Sequence, residues 1–415
     1  MRTKTKYLLT RISAFAIVFA ATAPLMWAQR PSRPNLSRMV VIGDSLSAGF
    51  QNFSLFSDGT PGAPRGGQTR GFARLIADQA GVALPLPSIS YPGIPPALEL
   101  VNGQIVRSPL APGMRIPPFV QPMNMSVPGF TLGDALVHAY PGNPFLNPID
   151  ALSTTIFSGN PTPACGPIPT PNLPRVLKLA NPALDPATPF VVSQVLCAAA
   201  LEPSAIIASI GNNDALGTLT FGTPPTPVAR FAVQYAAFLG AARSTGAAVV
   251  VGNIPDVTTV PFLVPAPVFA QLCGSLPAGA GPNDFAVPDI GAASFNLCVS
   301  YQVRSAALIA SAREAVQAYN RVIALQARLF GAVVVDVNRV MADIAANGYR
   351  VGGRTLTGGP LGGIFSLDAI HPTNTGYAIL ANEYIREINR ALRMNIPAVS
   401  VAAVAATDPL VLPLP

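Results

Sequence analysis

Short continuous runs of apolar residues recur along the chain, separated by longer segments in which apolar positions repeat every three to four residues. The continuous runs predict buried β-strands, because strands covered on both faces, as in a parallel sheet, lose the alternation of half-exposed ones. Four such strands are predicted, at Arg38–Ile42, Ser204–Ile210, Ala247–Gly252 and Ala332–Val337.

Helical periodicity occupies much of the chain between and after these runs. It predicts helices over Gly71–Ala80, Pro227–Arg243, Tyr301–Phe330 and Asn374–Leu392. Strands that alternate with helices favour a parallel sheet with helices on both faces. The predicted fold class is therefore α/β, a doubly wound three-layer sandwich.

Three proline-rich stretches interrupt this alternation, near 85–128, 141–189 and 255–298. Each is too apolar for a flexible linker and leads back to the next strand or helix, so we expect insertions in one domain rather than domain boundaries. Loops of this length in a compact domain are usually binding walls or lids. Packing on the protein surface without a binding role is the alternative. The domain itself would span 29–395, followed by an apolar, proline-containing tail at 396–415.

The composition is that of a folded chain. Of the 415 residues, 50% are hydrophobic and 11% are charged, which excludes disorder of the charged, apolar-poor kind. The 45 prolines and 35 glycines follow no collagen-like repeat, so they are expected in packed irregular loops.

The net charge of +7 owes much to the amino terminus. The first 28 residues hold four basic and no acidic side chains, with an apolar run from Ile12 to Trp27 and then Ala28. This pattern predicts a secretory signal peptide cleaved near Ala28, and hence an exported protein, secreted or periplasmic. A retained membrane anchor is the alternative. The other 22 basic residues face 19 acidic ones and are scattered, which argues against a nucleic-acid partner.

Four cysteines form an even set, as expected of an exported, disulfide-bonded chain. Sequence-adjacent pairing would join Cys165 to Cys197 and Cys273 to Cys298, and each bond could add about 3 kcal/mol of stability. Four buried free thiols are the alternative. The cysteine and histidine spacings match no zinc site, so no metal is expected.

Only two histidines are present, so a mechanism that needs an imidazole must use one of them. His371 lies in SLDAIHPTNTGYA, three residues after Asp368. A carboxylate at this spacing can bind the ring, fix its tautomer and stabilise the imidazolium. His138 lacks such a partner at the same offset. We expect it near the end of a helix that begins around Thr131, without a direct role.

Ser45 is the candidate nucleophile. It follows the first predicted strand in MVVIGDSLSAG, and the carboxyl end of a parallel strand faces the crevice where open α/β sheets bind ligands. A helix N-cap is the competing interpretation, because Asp44 and Ser47 could serve in the same way. The GxSxG motif of the α/β-hydrolases does not occur in the sequence.

Two further segments could stabilise a developing negative charge. In Gly211-Asn-Asn-Asp214, directly after the second strand, the amide of Asn213 could donate to an oxyanion. A plain turn is the alternative, since this is good turn chemistry. In NMSVPGFTLGD, Gly129 would permit close backbone approach and offer its N–H.

Taken in this order, GDSL at Gly43–Leu46, the glycine block at Gly129, GNND at Gly211–Asp214 and DAIH at Asp368–His371 resemble the motifs of the GDSL, or SGNH, family of serine esterases and lipases. The resemblance spans about Arg38–Leu392. It implies a flavodoxin-like sheet and an exported, bacterial enzyme of this type.

The resemblance also implies a role for each residue. Ser45 would be the nucleophile, His371 the general base and acid, and Asp368 the group that orients His371. The oxyanion hole would comprise the N–H groups of Ser45 and Gly129 and the side chain of Asn213. No metal or organic cofactor is implied.

The leading hypothesis is an exported serine hydrolase that cleaves small-molecule or lipid carboxylic esters through an acyl-enzyme on Ser45. It would act best at neutral to alkaline pH and could contact lipid surfaces transiently. The alternatives are a carbohydrate O-acetyl esterase and a catalytically silent protein of the same fold that binds lipid or glycan.

Apolar residues in the insertions bear on the substrate. If they roof the crevice, medium or longer acyl esters should be preferred over acetate esters; if they pack inward onto the sheet, they form no pocket. The residues concerned are Phe119, Met123, Met125, Phe145, Phe262, Leu263, Phe269 and Leu272.

Overall fold

The computed structural model describes residues 35–141, 147–180, 187–292 and 295–411. The predicted signal peptide lies outside these residues. A four-stranded parallel sheet occupies the centre, and its strands are those predicted from the apolar runs. In spatial order they are Met39–Gly43, Ala205–Ser209, Ala248–Gly252 and Val333–Val335.

A fifth segment extends this sheet beside its first strand. Asn124 pairs in parallel with Val41, whose N–H donates to the Met123 carbonyl at 2.8 Å and whose carbonyl accepts from Met125 N at 3.0 Å. Numbered along the chain, the spatial order becomes 2-1-3-4-5. This is the flavodoxin-like order, so the predicted α/β class and sheet type are confirmed.

Alternate residues of the first strand contact helices on opposite faces of the sheet. Val40 and Ile42 belong to a core cluster with residues of the helices Val228–Ser244 and Ala306–Phe330. Met39 and Val41 belong to a second cluster with the helices Phe72–Ala80 and Asn374–Leu392. The other α-helices are Ser45–Ala48, Leu132–Leu136, Pro148–Phe157, Arg175–Ala180, Gln194–Ala200, Asn213–Thr220, Ala266–Cys273, Val337–Asn347 and Val401–Ala405.

Of the small antiparallel sheets in the described part of the chain, one lies within the first insertion, two combine strands of an insertion with strands that flank it, and one lies outside the insertions. They pair Leu98–Val101 with Gln104–Arg107, and Tyr349–Val351 with Arg354–Leu356. Two three-stranded sheets have the orders His138–Ala139, Phe190–Val192, Ile168–Pro169 and Tyr301–Arg304, Phe285–Pro288, Val264–Pro265.

One predicted helix begins later than expected. Tyr301–Arg304 is a strand, and the helix starts at Ala306, after Ser305 accepts a hydrogen bond from Leu308 N at 3.2 Å. The prediction of a helix from Tyr301 was therefore wrong for its first turn. The reason is local: the alternation in Tyr-Gln-Val-Arg suits a strand, and Ser305 is a strong N-cap.

Both predicted disulfides are confirmed: Cys165 is bonded to Cys197 and Cys273 to Cys298. The first pair is completely buried in the larger core cluster, against the helix Gln194–Ala200. Within the described part of the chain, no helix combines the length and apolar character needed to cross a bilayer.

Candidate active site

Ser45 lies where the first strand ends and is the first residue of the helix Ser45–Ala48. The cap of this helix is Asp44, whose Oδ1 accepts from Leu46 N at 3.1 Å. The competing interpretation, that Ser45 itself is the capping side chain, is thus wrong, because Asp44 supplies the capping oxygen.

Asp44 is completely buried, and its second oxygen accepts from Asn212 Nδ2 at 2.8 Å. Burial raises the pKa of Asp44 to about 6, although the bonds from Asn212 and Leu46 oppose the rise. This contact joins the strand ends that carry Ser45 and Asn213. Neither Asp44 nor Asn212 falls on a catalytic position of the motifs, so this supporting role could not be inferred from the sequence alone.

His371 and Asp368 form a buried pair. His371 Nδ1 lies 3.0 Å from Asp368 Oδ2, and the ring contacts Phe50 edge-on with centroids 4.8 Å apart. Three backbone N–H groups also donate to Asp368: those of Phe53 at 2.6 Å, Ile370 at 2.9 Å and His371 at 2.8 Å. Burial alone would raise the pKa of Asp368, but the charge of His371 and these hydrogen bonds hold it below its ordinary value. The carboxylate is therefore well placed to orient the ring.

Asn213 begins the helix Asn213–Thr220, and its Nδ2 donates to the Phe130 carbonyl at 2.9 Å. This bond fixes the carboxamide beside the turn that contains Gly129. Gly129 has φ +89°, and a Cβ there would lie 2.7 Å from Cγ1 of Ile149. The position therefore needs glycine for both its conformation and its space.

Ser45, Gly129, Asn213 and His371 line one cavity of about 500 Å³, and Asp368 lies behind His371. Among the described residues, no hydrogen bond joins the Ser45 hydroxyl to the His371 ring. Such bonds often tighten only when substrate is bound. The structure thus brings together all five residues that the motifs singled out, four at the cavity wall and one behind it.

All three insertions contribute to this cavity. Pro95 comes from the first, Ile149 and Leu152 from the second, and Ile290 from the third. A second cavity, of about 1060 Å³, shares Pro95, Asn147 and Pro148 with the first. The insertions are therefore walls of the crevice rather than surface packing alone.

Most of the apolar residues expected to roof the crevice do not do so. Met125, Phe262 and Leu263 are buried in the larger core cluster, and Phe269 is buried with its ring against Tyr301. Met123 is partly buried against both core clusters, and Leu272 is 66% exposed. Phe119 borders the second cavity, and Phe145 lies outside the described residues.

The apolar wall comes instead from residues close to the catalytic motifs. Phe50 and Phe53 follow Ser45, while Leu216 and Phe221 follow Asn213 on and after its helix. Phe53 is held under the guanidinium of Arg107, 5.3 Å from the ring centre. Periodicity could not have identified the two phenylalanines after Ser45, since they lie in irregular turns.

His138 is a further member of the cavity wall. The helix predicted from around Thr131 is Leu132–Leu136, and His138 begins the following short strand. Its Nδ1 lies 2.9 Å from Asp134 Oδ1. Within the described ranges, no group of three or more His, Cys, Asp or Glu side chains is arranged to hold a metal ion.

Comparison with known proteins shows to which family the chain belongs. A family model described as GDSL-like Lipase/Acylhydrolase matches residues 39–384. No curated protein matches the chain significantly.

Several solved structures are similar to this chain. An acetylxylan esterase from Geobacillus stearothermophilus has 11% identity and a TM-score of 0.37, covering 88% of this chain and 98% of its own. A lipase/acylhydrolase from Enterococcus faecalis has 13% identity and a TM-score of 0.35, covering 87% and 100%. Similarities of this size carry no argument about the substrate.

Proposed function

The chain belongs to the GDSL-like lipase/acylhydrolase family and is a carboxylic ester hydrolase, and we propose that it acts through an acyl-enzyme formed on Ser45. The observation that carries this proposal is the convergence of Ser45, the Asp368–His371 pair, Gly129 and Asn213 at one cavity. A silent binding protein would have no need of this arrangement.

In the first half-reaction, Ser45 Oγ attacks the ester carbonyl and His371 accepts the hydroxyl proton on Nε2. The carbonyl oxygen becomes an oxyanion, which receives hydrogen bonds from the N–H groups of Ser45 and Gly129 and from the Asn213 amide. One Asn213 N–H is held by the Phe130 carbonyl, which leaves the other for the oxyanion. The intermediate then collapses, and the alcohol leaves with the proton from His371.

In the second half-reaction, His371 takes a proton from water, which attacks the acyl-enzyme. When this second tetrahedral intermediate collapses, the carboxylic acid leaves and His371 returns the proton to Ser45 Oγ, which restores the free enzyme. Asp368 keeps its charge throughout, because hydrogen bonds and His371 hold its pKa low. It therefore fixes the tautomer of the ring and stabilises the imidazolium that forms in each half-reaction.

For the acyl group, the apolar wall favours medium or longer chains over acetate. The catalytic cavity is lined by Phe50, Phe53, Leu216 and Ile290, and the second cavity adjoins it at Pro95, Asn147 and Pro148, which line both. Burying each methylene contributes about 0.8 kcal/mol, or roughly fourfold in kcat/KM, until the groove ends. The rival substrate class, acetylated carbohydrate, needs no such length.

An ester series from acetyl to long-chain acyl, with one common alcohol, tests this substrate class. Thr155 lines the second cavity but not the catalytic one, so Thr155→Trp should lower kcat/KM for long esters and spare short ones. Thr155→Ala is the matched control and should change neither. If acetyl esters are cleaved best, or only acetylated polysaccharide is a good substrate, the carbohydrate esterase is the correct assignment.

The proposed place of action is outside the cytoplasm, where the two disulfides would persist. Exposed apolar side chains at the cavity mouths, Phe221 at 60% and Met114 at 71%, support transient contact with lipid surfaces. Amino-terminal sequencing of protein recovered from outside the expressing cells tests export, with a new terminus near residue 29 expected.

A further inference from the structure

His138 lies between two carboxylates at the cavity wall. Its Nδ1 is 2.9 Å from Asp134 Oδ1, and its Nε2 is 3.6 Å from Asp150 Oδ1. The imidazole is largely enclosed, with 15% of the side chain exposed, and Nε2 has no hydrogen-bond partner. Burial alone would raise the pKa of Asp134, but the hydrogen bond and charge of His138 hold it below its ordinary value.

Each of these carboxylates also closes the first turn of a helix. Asp134 receives hydrogen bonds from the backbone N–H and the hydroxyl of Thr131, at 2.9 and 2.6 Å, in a capping box. Asp150 receives one from the Asn147 amide, and its own N–H donates to Asn147 Oδ1 at 2.9 Å. His138 therefore bridges the amino-terminal ends of two helices.

Both helices border the oxyanion hole. The first follows directly on Gly129 and Phe130, and the His138 ring packs on Phe130 with centroids 4.5 Å apart. The second carries Ile149, which fills the space beside the Gly129 α-carbon. Since the Phe130 carbonyl also holds the Asn213 amide, His138 contacts the supports of two of the three proposed oxyanion donors.

Acidic side chains contact the ring from both helices. Asp134 and Asp150 face it, whereas the paired strand Phe190–Val192 carries no ionisable side chain. The two nitrogens of the ring thus each lie beside a carboxylate of a different helix.

We propose that His138 is a positioning residue of the oxyanion hole, and that its contacts with Asp134, Asp150 and Phe130 hold Gly129 and Asn213 in their active arrangement. This inference rests on the proposed mechanism, in which both residues are oxyanion donors. Loss of the ring should therefore impair the chemical step rather than the binding of substrate.

The test is the measurement of kcat and KM for short-chain ester hydrolysis by the full-length protein and its variants. His138→Gln should lower kcat about 10- to 100-fold with KM changed less than threefold, since misplacing a reacting group by about 1 Å can cost 10²-fold. Thermal unfolding of each variant reports whether it is folded.

Asp150→Asn provides a second variant, because asparagine can still accept the hydrogen bond from the Asn147 amide while the negative charge beside His138 is lost. It should lower kcat in the same direction but by less, again with little change in KM. An unchanged kcat in a folded His138→Gln variant, or a loss that appears in KM rather than in kcat, overturns the role of His138. Failure of the proposed function looks different: the unaltered protein would then show no Ser45-dependent ester hydrolysis at any pH.

Discussion

Gly129→Ala should move one of the proposed oxyanion donors without removing it. Alanine keeps the backbone N–H, so the proposed hydrogen bond to the oxyanion is not removed chemically. It adds a methyl group at a residue with φ +89°, 2.7 Å from Cγ1 and 2.8 Å from Cδ1 of Ile149. Any loss of activity therefore reports displacement of the donor.

The structure sets the size of the expected effect. Ordinary contact begins near 3.4 Å, so the methyl group and Ile149 must separate by about 0.7 Å. If the backbone moves, kcat should fall about 10- to 100-fold, since an error of about 1 Å can cost 10²-fold. The positive φ should also cost about 1–3 kcal/mol of stability.

Steady-state kinetics and urea denaturation separate the loss of kcat from the loss of stability. The four proteins compared are the unaltered protein, Gly129→Ala, Ile149→Ala and the double variant. Ile149→Ala removes both clashing atoms, so in the Gly129→Ala background it should restore much of kcat but none of the stability lost to the backbone strain. Ile149→Ala alone is the matched control. Displacement of the Gly129 N–H by Ile149 is excluded if Gly129→Ala has an unchanged kcat, or if its lost kcat is not recovered when Ile149 is truncated.

Three further predictions concern the same region. His371→Ala should reduce kcat/KM nearly as much as Ser45→Ala, and the double variant should be scarcely worse than either; effects that multiply would contradict a concerted pair. Asn213→Ala should lower kcat about 10²–10³-fold with little change in KM, whereas a raised KM with level kcat would make it a substrate-binding residue. Burial raises the pKa of Asp214 to about 7, above its unfolded value, so stability should fall as pH rises from about 4 to 7. Urea midpoints for Asp214→Asn should lack that fall, and an unchanged slope would contradict it.

The sheet could be predicted from sequence because its strands are continuous apolar runs. Met39–Gly43 and Ala205–Ser209 are buried at every residue, so the pattern carries the structural constraint directly. The segment around Asn124 was missed as a strand. It joins the sheet through only a few backbone hydrogen bonds, and its prolines and polar residues resemble a loop.

The convergence of the candidate catalytic residues was predictable for a different reason. Ser45, Asn213 and His371 each follow a strand or precede a helix at short range, so local sequence places them at one sheet edge. The apolar wall of the cavity was not predictable in this way. Whether Phe262 faces a pocket or the core depends on packing between segments distant in sequence, and no local pattern records it.

The supporting interactions behind the site were equally hidden. Asp44 and Asn212 lie 168 positions apart. Asp134 contacts His138, which is only four positions further along the chain, but neither residue is at a catalytic position of the motifs. His138 gained significance only when the structure placed Asp150 beside it and Phe130 beneath it. A single sequence does not show which residues from distant segments lie close together in the fold.

Labelling by a fluorophosphonate probe shows whether Ser45 is an activated nucleophile. The probe phosphonylates an activated serine, and mass spectrometry of the digested protein locates the adduct. We expect stoichiometric labelling of Ser45 with parallel loss of ester hydrolysis, strongly slowed labelling in His371→Ala, and none in Ser45→Ala. Ester hydrolysis that persists in a protein unlabelled at Ser45, or an adduct on another serine that abolishes activity, would contradict this role of Ser45.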